Sequence, residues 1–186
     1  MSKKDIKDHI LVEAMEILKN EGSSGVTMRK VASSCNISLS NLQYHYTNKT
    51  ILLQALSAKF FAHCSENLLN EWEVISAEKD LSTEQFIRKL VEFLIGDDEI
   101  GIDYYLYREI WALSLRDPEL SIAVKDFYSN YARLIAELIG QVKQSSTEEI
   151  ASLLVPFMEG YSIVRKAMPS DAKQMTETLV RIIVAL

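Results

Sequence analysis

Between Thr27 and Lys49 the chain gathers side chains suited to hydrogen bonding with base edges and phosphates. Ser40, Asn41, Gln43, Tyr44 and His45 fall together with no acidic residue among them, and Lys49 follows close behind. An amide such as Gln43 can pair with adenine in the major groove, and apolar or aromatic groups can meet the thymine methyl. An ammonium such as Lys49 serves a phosphate as a point charge. Chemistry of this kind needs a short rigid rod to present it, and the stretch supplies two. Thr27 is placed to cap a first helix, in which Met28, Val31 and Ala32 make one apolar stripe. Ser33 to Asn36 break that pattern. Asn36 tolerates the left-handed conformation of a sharp turn, and Ile37 gives the turn an apolar plug. Ser38 is placed to cap a second helix to about Tyr46, with Leu42 and Tyr46 on its inward face. Two short helices, a tight turn and a polar second helix predict a helix-turn-helix.

Thr27, the Val31–Ala32 pair, the Ile37–Ser38 turn, Leu42, His45–Tyr46 and Lys49 together resemble the signature of the TetR family of bacterial transcriptional regulators. The resemblance fixes several residue types at set spacings over about 25 residues, which makes it specific. It covers the amino-terminal quarter of the chain. Two positions depart from the family pattern, Ser40 where Gly is usual and Gln43 where Tyr is usual. Both lie on the reading face, so no operator sequence carries over. The resemblance implies that Arg29, Leu39, Ser40, Asn41, Gln43 and Tyr44 face bases, and that Thr27, His45 and Lys49 anchor phosphates. It also implies a ligand that moves the fourth helix and releases the DNA.

The formal net charge of −6 argues against a nucleic-acid binder only until its distribution is read. Residues 1–49 hold 7 Lys and Arg against 5 Asp and Glu, a net +2, which leaves −8 on the remainder. A mildly basic head on an acidic body can approach DNA while the body stays in solution. Hydrophobic content of 48% supplies a large core, and six Gly with three Pro favour long uninterrupted helices. The segment MSKKDIKDHI has no apolar run to serve as a leader, and no uncharged span reaches about 20 apolar residues. A cytoplasmic protein without a membrane partner is therefore expected. Cys35 and Cys64 have no metal-type neighbours and read as small buried hydrophobes.

The rest of the chain predicts an all-α protein, a three-helix head (1–48) on a ligand-binding and dimerisation body (49–186). A first helix to Glu21 carries Ile6, Ile10, Ala14 and Leu18 inward and stops at Gly22. Thr47–Asn48 opens a long helix to about Ala77, followed by helices over 82–95, 100–115 and 118–139. Ser82 to Gln85 and Ser145 to Glu149 are both written as capping boxes. Pro156 should kink the helix after the second box and free a carbonyl near Gly160. The last helix starts after Pro169–Ser170–Asp171.

No histidine-based site, phosphate loop, nucleophile elbow or metal spacing stands out, so neither enzyme chemistry nor a metal or other cofactor is expected. The body is rich in aromatic residues. Tyr104, Tyr107, Trp111, Phe127, Tyr131, Phe157 and Tyr161 could line a small-molecule cavity, with Arg108 or Glu159 as polar anchor. Trp111 and the Arg116–Asp117–Pro118 join are similar to the body of betaine-pathway regulators within the same family, a match too short to carry a ligand. Leu153, Phe157 and Val164 on one helix, and Leu179, Ile182, Ile183 and Leu186 on the last, offer more apolar surface than one body needs. Pairing them about a two-fold axis predicts a homodimer on double-stranded, palindromic operator DNA, with a small-molecule effector. The alternative is a helical ligand-binding or scaffolding protein whose head does not meet DNA.

Overall fold

The computed structural model describes residues 3–96 and 104–186, with side chains over 5–96 and 105–186. Regular structure among the described residues is entirely helical. In chain order the helices are α1 (Lys3–Gly25), α2 (Met28–Ser34), α3 (Leu39–His45), α4 (Lys49–Ala77), α5 (Thr83–Ile95), α6 (Tyr104–Ser114), α7 (Pro118–Gly140), α8 (Thr147–Val164) and α9 (Ala172–Ala185), with a 3-10 turn over Arg165–Ala167. The start expected at Ile100 for the α6 helix lies outside the described residues.

Packing divides the chain into two compact units. The first is Met1–Cys64 with Asp103–Lys125, the second Ser65–Ile102 with Asp126–Leu186. In the first, α1 packs on both α2 and α6. Ile10, Ala14, Leu18, Val26, Val31, Leu42, Leu52 and Leu56 are fully buried there. The regular course of α1 breaks where expected, at Gly22, whose backbone (φ 69°, ψ −175°) is open in practice to glycine alone. In the second unit α5 lies along α9. Leu90, Val91 and Leu94 of α5 are buried, as are Leu179, Val180 and Ile183 of α9. Arg88 of α5 reaches Glu177 of α9 as well as Glu84 on its own helix. The Trp72 indole N–H donates to the Gln141 side chain at 3.0 Å.

The starts of α5, α7 and α9 follow their local chemistry, and that of α8 does not. Ser82 with Gln85, and Asp171 with Gln174, form complete capping boxes. Asp117 accepts from the Leu120 amide at 3.0 Å at the start of α7. The box expected at Ser145–Glu149 does not form. Ser146 takes a left-handed backbone (φ 57°), makes no side-chain cap, and turns its hydroxyl to donate to the Leu186 carbonyl at 3.2 Å. A contact 40 residues away has overridden a local pattern. Pro156 lies inside α8. Lacking an N–H, it leaves without its usual donor the carbonyl four residues back, that of Ser152, rather than one near Gly160.

Candidate functional site

The turn between α2 and α3 is built by three short interactions. Thr27, in extended conformation, accepts the Lys30 amide at 3.2 Å and starts α2. Asn36 takes φ 55°, which lets the Ile37 amide donate to the Ala32 carbonyl at 3.0 Å and turns the chain sharply. Ser38 then accepts the Asn41 amide at 3.2 Å and starts α3. Leu42 and Tyr46 are buried below α3. Ser40, Asn41, Gln43 and Tyr44 are exposed above it, as are Arg29 and Thr27, while Leu39 and His45 are half-buried. All nine candidate DNA-contacting residues thus belong to the first unit, six of them exposed. The Ser40 hydroxyl is 3.0 Å from that of Ser38, and the Tyr44 ring meets the edge of His45 at 5.2 Å.

Two partners of this head were not visible in the sequence. The Ser23 amide donates to the Glu109 carboxylate of α6 at 3.1 Å. The Lys49 ammonium donates to the Ser23 carbonyl, so the proposed phosphate anchor is tied back to the protein. An ammonium has three donors, and this bond uses one. Lys30, basic and on α2, is paired with Glu21. The Cys35 thiol is pushed up by burial first and by the charge of Glu13 second, which disfavours the reactive thiolate.

The body candidates fall in both units. Tyr107, Arg108 and Trp111 belong to the first. Tyr107 packs against Phe60, with ring centres 6.1 Å apart, while Trp111 is 48% exposed rather than enclosed. The side chain of Tyr104 lies outside the described residues. Phe127, Tyr131, Phe157 and Tyr161 belong to the second unit and pair within their helices. Phe127 and Tyr131 are 5.2 Å apart on α7, and Phe157 and Tyr161 stack at 5.5 Å on α8. There the partly buried carboxyl of Glu159 takes a hydrogen bond from Tyr128, and loss of solvent outweighs that bond to push it up to about 7.

The expected dimer surface needs a correction. Leu179 (2% exposed) and Ile183 (0%) are spent on the chain's own core, on the buried face of α9. They are not available to a second copy. Val164, Ile182 and Leu186 are exposed, and Leu153 and Phe157 half-buried. Ile163, Met168 and Val184 are further exposed apolar residues that sequence reasoning missed. Among the described residues no helix is long and apolar enough to cross a membrane.

Three comparisons bear on this arrangement. The sequence profile of bacterial regulatory proteins of the tetR family matches residues 10–56, which span α2, α3 and the turn between them. An HTH-type transcriptional regulator in the dhlA 5′ region of Xanthobacter autotrophicus is 33% identical over 180 residues, 95% of this chain and 87% of its own. The HTH-type nicotine-responsive transcriptional repressor HdnoR of Paenarthrobacter nicotinovorans is 24% identical over 175 residues, 91% of this chain and 88% of its own. In fold, the chain is similar to a transcriptional regulator of Saccharomonospora viridis solved in complex with choline. That likeness has a TM-score of 0.75 at 18% identity and covers 97% of this chain and 96% of the other. The helix-turn-helix built by Thr27, Asn36 and Ser38 is therefore shared along with nearly the whole length of a relative, and the chain belongs to the tetR family of bacterial regulatory proteins, DNA-binding regulators of transcription.

Proposed function

We propose that the protein is a cytoplasmic, homodimeric repressor, without enzymatic activity, that leaves a palindromic operator when a small molecule binds its body. The observation that carries the reading is the outward face of α3, where Ser40, Asn41, Gln43 and Tyr44 are exposed with no carboxylate among them. Residues 1–48 act as the head and 49–186 as the body. Arg29, Leu39, Ser40, Asn41, Gln43 and Tyr44 meet bases, while Thr27, His45 and Lys49 hold phosphates. Effector responsiveness is supported by the nicotine-responsive repressor and the choline-bound regulator among the relatives. Phe127, Tyr131, Phe157 and Tyr161 of the second unit are its favoured contacts. Tyr107 and Arg108 of the first unit remain candidates, whereas the exposure of Trp111 weakens its case. The Glu109–Ser23–Lys49 series gives α6 a direct hold on the head, so a shift of α6 or α4 reaches the turn before α2. Val164, Ile182 and Leu186, with Leu153 and Phe157, supply the apolar surface for the dimer. Two-fold pairing sets the reading helices about 34–36 Å apart or a multiple of that spacing.

The reading is tested by fluorescence anisotropy on DNA from upstream of the protein's own gene. Gln43→Ala should lose roughly 1–3 kcal/mol on the operator alone. Lys49→Ala should weaken binding to all sequences and reduce the salt slope by about one. Wild-type protein with no affinity above that for unrelated DNA would leave the scaffold alternative standing.

A further inference from the structure

Lys49 is the first residue of α4, and nothing in its own helix favours a positive charge there. The dipole of a helix disfavours a cation at the amino terminus, and the first turn of α4 holds no acidic residue to offset it. Among the described residues the ammonium forms no ion pair, and its hydrogen bond goes to a neutral acceptor, the Ser23 carbonyl. An anion arriving from outside reverses that penalty, because it meets the ammonium and the positive end of the dipole together.

What seats the ammonium is a residue from far along the chain. The course of α1 breaks at Gly22 (φ 69°, ψ −175°), and past the break Ser23 is held from two sides. Its amide donates to the Glu109 carboxylate at 3.1 Å, and its carbonyl accepts from Lys49. Glu109 lies close over this turn, since a Cβ on Gly22 would be 3.4 Å from its Oε2. All of these residues belong to the first unit, and Ser23, Lys49 and Glu109 are half-buried. Glu109 and Lys49 form no ion pair with each other, and Ser23 stands between them. A direct pair would orient Lys49 and also neutralise it. Through Ser23 the orientation is passed on while the charge stays available, and the ammonium keeps two further donors. A lysine side chain loses rotamer freedom when it binds a phosphate, and one whose ammonium is already seated has less to lose.

We infer that Glu109 is a positioning residue for DNA binding, which by holding Ser23 keeps the Lys49 ammonium set for a phosphate. This rests on the assignment of Lys49 to a phosphate and adds the group that orients it. Glu109 acts through Ser23 and Lys49, not on the DNA.

The test is fluorescence anisotropy of the full-length protein on a labelled duplex of arbitrary sequence at low salt, where phosphate contacts supply the affinity. Glu109→Ala should bind about two- to tenfold more weakly, the effect of immobilising one long side chain on association. Glu109→Gln retains an oxygen to accept the Ser23 amide and should restore most of that loss. In a Lys49→Ala background, Glu109→Ala should weaken binding no further. A contribution to the fold alone would persist in that background, and repulsion of DNA by the carboxylate would make Glu109→Ala and Glu109→Gln both bind more tightly. Either result would overturn the inference. If circular dichroism shows Glu109→Ala unfolded, Glu109→Asp takes its place in the same comparisons, because it draws the carboxylate back from Ser23 by a methylene and keeps the charge. Wild-type binding by Lys49→Ala would defeat the phosphate assignment itself, whereas a loss in Lys49→Ala with none in the Glu109 variant would defeat the positioning role alone.

Discussion

Gly22→Ala asks how much the end of α1 depends on a backbone that only glycine holds comfortably. At φ 69° and ψ −175° an L residue carries strain of roughly 1–3 kcal/mol. Space is not the obstacle. The new Cβ would meet the Glu109 carboxylate at 3.4 Å, an ordinary contact distance. The chain can then respond in two ways. If the turn holds, the strain appears directly as lost stability. If the turn relaxes, the Ser23 amide leaves Glu109 and the Ser23 carbonyl leaves Lys49. Each of these two hydrogen bonds to a charged group contributes about 1.5–3 kcal/mol, and partial exposure places both at or below the lower end. Both routes predict a loss of about 1–3 kcal/mol, read in urea unfolding as a lower midpoint at unchanged slope. Adding Glu109→Ala separates them. The two losses add if the turn bears the strain, and the second is largely absent if the turn has already let go. A Gly22→Ala protein with wild-type stability would refute the reasoning.

Three further outcomes are expected. Asp171→Ala removes the capping box at the start of α9 and should cost about 0.5–2 kcal/mol in the same urea assay, with no loss meaning that the cap is not formed in solution. For Glu159, whose folded value is raised from 4.5 to about 7, the folded state binds the extra proton between those values. Stability is therefore fully present below the lower value and falls as pH rises to the upper one, by about 3 kcal/mol in all. Denaturation between about pH 5 and pH 8 should show this slope in wild type and its loss in Glu159→Gln, while an unchanged slope in the variant would place the titration elsewhere. Ile182→Glu, on the exposed side of α9, should give folded monomers by sedimentation with weakened operator binding. Ile183→Glu should instead fail to fold, because that side chain is fully buried within one chain.

Features that depend on near neighbours in the chain were legible in the sequence. The left-handed Asn36, the Thr27 and Ser38 caps and the box at Ser82 all concern groups within four residues of one another. Ser146 shows where that logic stops. It has the right neighbours for a cap, yet its hydroxyl finds the Leu186 carbonyl, a partner the local pattern does not contain. The end of α9 fails to declare itself for a different reason. Apolar residues occupy both of its sides, so periodicity does not distinguish Ile183, buried in its own chain, from exposed Ile182. The hold of Glu109 on Ser23 spans 86 residues and leaves no mark on the sequence near either. Glu159 could be named as a polar anchor, but its burial is a sum over packed neighbours.

The chain order of the first unit bears on how the protein is made. That unit draws on segments either side of residues 65–102. While a ribosome has delivered only the first 64 residues, α1 has no α6 to pack on and the Ser23 amide has no Glu109 to meet. The reading helix is thus synthesised long before the scaffold that steadies its unit is complete. An amino-terminal piece cut out for transplantation would start from the same handicap, and a chimera that borrows this reading head should carry residues 103–125 along with it.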